Sequence, residues 1–239
     1  MNTFKIYRRG VRDGMPVFFG YLAVSFSFGI LARSLNIPSA AAVLMSAANF
    51  TSAGQFAAVN SIAAGVGYIE LALMQFIINL RYFLMSSALS QKISDKAPFF
   101  HRFLMAFGNT DEVFALAVSY KGELTPSYFY GLMTAALPGW VTGTALGVIS
   151  GDFLPARVLS ALGIALYAMF IAIIIPPARK NKIVAGIVAA SMTASFLFSK
   201  LPVLKNISPG FRIIILTVLI SAAAAALFPA ETEENYEQQ

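Results

Sequence analysis

The sequence contains no cysteine, one histidine (His101), one tryptophan (Trp140) and only 12% charged residues. Without cysteine there are no disulfides and no thiolate metal sites. A lone histidine cannot build a His-rich centre, so no metal and no other cofactor is expected. A soluble domain carries about 25% charged residues, so this chain is poor in charge for one. It lacks a Gly-x4-Gly-Lys-Ser/Thr phosphate loop, so ATP hydrolysis by this chain is not expected. It lacks the alternating segments of about ten residues that build a membrane β-barrel. The basic N-terminus leads into an apolar run with no small-residue cleavage site, so no removed signal peptide is expected.

What is present is apolar: 58% hydrophobic residues and a mean hydropathy of +0.72. Several runs approach the roughly 20 residues of a spanning helix. The fold class is therefore all-α, a polytopic integral membrane protein with about six full spans plus two broken or re-entrant helix pairs. Residues 1–13 read as a basic N-terminus, 14–229 as a single transmembrane domain and 230–239 as an acidic disordered tail. Full spans are expected near 15–32, 67–88, 126–150, 156–175, 183–199 and 211–229. Gly20 and Gly29 would let the first span approach a neighbour closely. Pro138-Gly139 predicts a kink, with Trp140 beside it as packing or as pocket lining. The net charge of +6 is not a nucleic-acid signal, because the cations sit in short loops beside apolar runs.

Three interruptions organise the chain. Asn49, Thr51, Ser52 and Gln55 break the run 39–65, which as one helix would be about 40 Å long. Thr51 or Ser52 would cap its second half. Asn79 and Arg81 interrupt the span 67–88. Asn109, Thr110, Asp111 and Glu112 break the stretch 99–120, with Asn109 or Thr110 as cap and two acids suited to the positive end of a helix dipole. An ionised side chain at a helix centre costs roughly 2.5–3.5 kcal/mol on insertion scales, so it needs a partner or a wet path. The plainer reading of the first break is one tilted span with small polar residues facing a neighbour.

Charge arranges the segments. If both broken stretches are re-entrant and the N-terminus is inside, eleven cations lie inside against five outside, with Arg81 at membrane depth. If both cross fully, the count is eight against eight. The positive-inside bias favours re-entrance, with the loop 89–97 cytoplasmic. Units 15–65 and 67–120 then read as an inverted repeat. Leu44-Met45 and Phe56-Ala57 flank the first break as Leu104-Met105 and Phe114-Ala115 flank the second. That match is short, and coincidence is an even alternative.

Three stretches resemble signatures of the AzlC family of branched-chain amino acid exporters. They are Thr51-Ser52-Ala53-Gly54-Gln55-Phe56-Ala57, Asn79-Leu80-Arg81 and Thr110-Asp111-Glu112-Val113-Phe114-Ala115. Gly54 stands where the family usually has Ser, and Tyr82 where His is frequent. The resemblance implies export of branched-chain amino acids across a bacterial cytoplasmic membrane and a small AzlD-like membrane subunit as partner.

The residues themselves suit a secondary transporter of a small neutral amino acid, coupled to an ion gradient. A zwitterion at membrane depth needs an acceptor for each charge. Arg81 or half-helix amides would take the carboxylate, and Asp111 or Glu112 the ammonium. Phe56, Phe114 and Met105 would line a pocket for an aliphatic side chain. An ion pair of Arg81 with Asp111 or Glu112 is an equal alternative to a substrate role. Glu70, near a span end, reads as an interfacial charge. The rival function is a passive channel, since re-entrant pairs also build pores. An enzyme is disfavoured: adjacent Asp111 and Glu112 point about 100° apart on a helix, a poor catalytic dyad.

Overall fold

The computed structural model describes residues 3–94, 97–151, 153, 171, 174–175, 178–200 and 207–228. In chain order its helices are α1 (Thr3–Ser34), α2 (Ser39–Ala48), α3 (Ala53–Ala63), α4 (Tyr68–Lys92), α5 (Phe99–Phe107), α6 (Asp111–Ser119), α7 (Pro126–Ser150), α8 (Lys182–Lys200) and α9 (Pro209–Leu227). No strand occurs among the described residues, only an isolated bridge between Ile93 and Leu124. Four described helices, α1, α4, α7 and α8, are long and apolar enough to cross a membrane. The span expected at 211–229 appears as α9, whose apolar part, Phe211–Leu227, is shorter. All of the span expected at 156–175 but residues 171 and 174–175, and the whole tail 230–239, lie outside the described residues.

Both expected breaks are real. The run 39–65 is α2 and α3 separated at Asn49–Ser52, and the stretch 99–120 is α5 and α6 separated at Gly108–Thr110. Each first half-helix starts behind a proline, Pro38 or Pro98, with nearly equal backbone angles. Helix α1 begins at Thr3 rather than near Met15. Its basic first turns remain helical because Arg and Lys are good helix formers, and Asp13 pairs with Arg9 one turn back at 3.6 Å. Pro16 and Pro138 both lie inside unbroken helices.

The chain divides into two compact units. The first holds α1–α3, α4 from Ile78, and α5–α7. Its axis is the pair α1/α7, packed through small residues. A Cβ at Gly131 would meet the Tyr7 carbonyl and Gly10, one at Gly139 the Phe18 carbonyl, one at Gly143 Leu22, and one at Gly147 Phe26 and Gly29. Close backbone approach of this kind is how membrane helices gain dispersion contact without a hydrophobic driving force. Gly29 takes this role as expected. Gly20 has nothing within 4 Å, because it lies on the opposite side of α1 from the α7 contact.

The contact partners rise together along both helices, so α1 and α7 run parallel. Leu124 N donates to Lys92 O at 2.8 Å, and Ser94 N donates to Leu124 O at 3.4 Å. The end of α4 and the start of α7 therefore share one face. Between them, α5 leaves that face and α6 returns to it, so the second broken pair starts and ends at the same face. Lys92 Nζ closes the loop by donating to the Val118 carbonyl near the end of α6, where a cation suits the helix dipole.

The second unit holds residues 65–77 with α8 and α9. Glu70 Oε1 accepts from Ser208 Oγ and from Phe211 N at 3.1 Å. The carboxylate thus helps Ser208 cap α9, a structural employment beyond that of a surface charge.

Candidate functional site

At the first break the side chains seal one another. Asn49 is the C-cap of α2, and its Oδ1 accepts from Thr51 N at 2.9 Å. Ser52 occupies the N-cap position of α3 without a side-chain capping bond and with φ of 32°, left-handed backbone that costs a non-glycine residue about 1–2 kcal/mol. Gln55 is wholly buried. Its Oε1 accepts from Trp140 Nε1 at 2.7 Å, and its Nε2 donates to Ser46 Oγ at 3.0 Å. Ser46 in turn lies 2.7 Å from Thr144 Oγ1. This chain of Trp140, Gln55, Ser46 and Thr144 joins α7, α3 and α2, with each member at most 1% exposed. A buried network of this kind holds its elements firmly only while every member is satisfied. Phe56 is buried edge-on against Phe28 and Met105 is fully buried, so both pack the core. Thr51 Oγ1 is buried without a hydrogen-bond partner.

At the second break the groups are charged and more open. Thr110 caps α6, its Oγ1 accepting from Val113 N at 3.4 Å. Asp111 Oδ2 stands 2.9 Å from Arg81 Nη2, with side chains 33% and 42% exposed. The Arg81–Asp111 contact expected from the sequence is therefore present, but partly open rather than sealed. Arg81 also lies over the Tyr82 ring, 5.1 Å from its centre. Asn79 sits two residues earlier on α4. Asn109 is buried; its Nδ2 donates to Ser86 Oγ at 3.2 Å, while its Oδ1 has no partner. Glu112 Oε2 accepts from the Tyr21 hydroxyl at 2.6 Å.

The two breaks meet. Phe50, between Asn49 and Thr51, stacks edge-on to Phe107 with ring centres 5.3 Å apart. Tyr21 of α1 bonds the second break and lies edge-on to Trp140 at 5.5 Å, while Trp140 bonds the first. Tyr21, Ser46 and Thr144 were not singled out by the sequence. A tyrosine in the middle of an apolar helix is the signal for the first; serine and threonine in apolar helices are too common to carry one.

Residues 16–154 match the family described as AzlC protein. The chain belongs to the AzlC family. The matched segment spans α1 from Pro16 through α7, and so takes in both breaks and Arg81. An uncharacterized membrane protein of Archaeoglobus fulgidus is 31% identical, covering 80% of this chain and 84% of that one. The inner membrane protein YgaZ of Escherichia coli is 29% identical over 90% of this chain and 91% of its own length. The Bacillus subtilis AzlC, named a branched-chain amino acid transport protein, is 23% identical over 70% of this chain and 66% of its own. No solved structure matches. This AzlC-family chain is thus a helical membrane protein whose polar interruptions all fall within the family segment.

Proposed function

We propose that this chain is the large subunit of a secondary transporter that exports branched-chain or similar small neutral amino acids, driven by an ion gradient. The observation that carries the reading is the Arg81–Asp111 pair at the start of a re-entrant half-helix, ion-paired yet one-third or more exposed. An incoming zwitterion offers a carboxylate to the guanidinium and an ammonium to the acid, so it can exchange the internal pair for two external ones. The charge lost on opening the pair is recovered on binding, which is how a carrier couples substrate to conformation. The relationship to a transport protein named for branched-chain amino acids supports the substrate class.

In this reading α1–α2–α3 and α4–α5–α6 are repeats of opposite direction. The supports are the paired Pro38 and Pro98 starts, the Asn49 and Asn109 breaks, and α1 leaving the face at which α4 arrives. That face carries Lys5, Arg8, Arg9, Arg12, Lys92 and Lys121, so the cytoplasm is its side by the positive-inside rule. A Cys at Ser94 in this cysteine-free chain is expected to resist an impermeant thiol reagent applied outside cells; ready labelling contradicts the orientation. An AzlD-like small subunit completes the transporter by covering polar groups at the breaks.

The test is counterflow of radiolabelled leucine in proteoliposomes, with and without that subunit. A carrier gives saturable exchange that unlabelled valine competes. Unsaturable leak without counterflow identifies a channel instead. Full-rate transport by the chain alone removes the need for the partner.

A further inference from the structure

On the transporter reading above, the coupling ion needs a group that binds it. The second break holds two adjacent acids in unlike surroundings. Asp111 is matched by the Arg81 guanidinium at 2.9 Å. Glu112 Oε2 is met by a neutral donor, the Tyr21 hydroxyl, at 2.6 Å. The same hydroxyl lies 2.5 Å from Thr110 Oγ1. A phenol has one proton and cannot donate to both oxygens at once.

The protonation state of Glu112 decides the direction. With Glu112 ionised, Tyr21 donates to the carboxylate, since a charge-assisted bond is the stronger. Thr110 then turns its own proton onto the Tyr21 oxygen. When a proton from water binds Oε2, the acid becomes the donor, the Tyr21 oxygen accepts, and the Tyr21 proton turns onto Thr110 Oγ1. One proton is gained, one carboxylate charge is lost, and the order Thr110–Tyr21–Glu112 reverses. Thr110 is the N-cap of α6, so the reversal acts on the residue that starts the half-helix. Tyr21 is also held edge-on by Trp140, which bonds Gln55 at the other break.

From α4, Arg81 meets the adjoining Asp111, and Tyr82 is in electrostatic reach of both acids. Tyr21 faces Glu112 from α1 and Asp111 adjoins it. From α7 the residue reaching Tyr21 is Trp140, which does not titrate. Helices α2 and α3 contain no titratable side chain. Asp111 has a cationic partner in Arg81, whereas the partner of Glu112 is a neutral hydroxyl. The geometry points to Glu112 as the residue that takes up the coupling proton of a proton-linked transporter, with Tyr21 as its hydroxyl switch.

The experiment compares wild-type, Glu112→Gln and Tyr21→Phe chains in proteoliposomes by two readouts. Leucine exchange without a gradient reports binding and conformational turnover; net leucine movement under an imposed pH gradient reports coupling. Glu112→Gln is expected to lower gradient-driven movement, relative to exchange measured in the same variant, by about tenfold or more. Tyr21→Phe falls in the same direction by less. Gradient-driven movement that survives Glu112→Gln overturns the assignment. Absence of leucine exchange in the wild type, reconstituted together with the small subunit, overturns the transporter reading itself. Should Glu112→Gln fail to fold, infrared difference spectra of the purified protein between acid and neutral pH decide. A protonated-carboxyl band that shifts in Tyr21→Phe and persists in Asp111→Asn is expected; a band indifferent to Tyr21→Phe overturns the switch.

Discussion

The two breaks have the same outline and opposite chemistry. Each begins behind a proline, runs about two and a half to three turns, stops at or one residue before an asparagine and resumes as a second short helix. The first contains no charge and ties Gln55 into a wholly buried chain from Trp140 to Thr144. The second carries two acids, faces an arginine from another helix and stays partly open. Neutral amides and hydroxyls satisfy one another at modest cost and make a rigid wall. Charges at membrane depth are costly unless something exchanges for them. On the function proposed above, the first break serves as the anchor and the second as the place where substrate is handled.

Both breaks hang from the α1/α7 pair, so the comparison breaks most completely if that pair is pried apart. Gly147→Leu drives a side chain into the Phe26 carbonyl and Gly29. It is expected to abolish folded protein, whereas Gly20→Leu, at a position with nothing within 4 Å, leaves size-exclusion behaviour unchanged. Next comes the anchor itself. Gln55→Leu strands the buried Trp140 Nε1–H, at a cost of about 1–3 kcal/mol, and leaves Ser46 with Thr144 alone. A large drop in the melting temperature of detergent-solubilised protein is expected, partly restored by Trp140→Phe in the same chain. A small change would mean that the network is no wall. The smallest effect separates the caps. Thr110→Ala removes a used cap and is expected to cost about 1 kcal/mol. Ser52→Ala removes an unused one and leaves stability nearly unchanged, by the same thermal assay.

Much of this was legible in the sequence, and the reason is cost. Asn49–Gln55 and Asn109–Glu112 stand out because polar residues are rare in apolar runs, and their positions predict where helices stop. The Arg81–Asp111 contact follows from the same reasoning, since each charge needs the other. The α1/α7 axis was less legible. Gly131, Gly139, Gly143 and Gly147 recur every four or eight residues, but spacing alone does not name the partner helix, and Gly20 looked as suitable as Gly29. Tyr21 escaped because its role depends on what lies across from it. Phe56 was expected at a pocket and packs the core against Phe28, since an aromatic ring beside a break serves either purpose equally well by sequence.

The central claim, that the second break handles substrate through Arg81 and Asp111, is tested most directly by a double-mutant cycle read in two assays. Arg81→Ala and Asp111→Asn are each expected to lower folded yield and to remove leucine counterflow, because each leaves one charge without its partner. Their exposure makes the yield loss smaller than for a sealed pair. Combining them is expected to restore folded yield to near wild type while counterflow stays absent, as the groups that receive the amino acid are gone. Recovery of counterflow in the double variant, or purely additive losses of yield, would contradict the account.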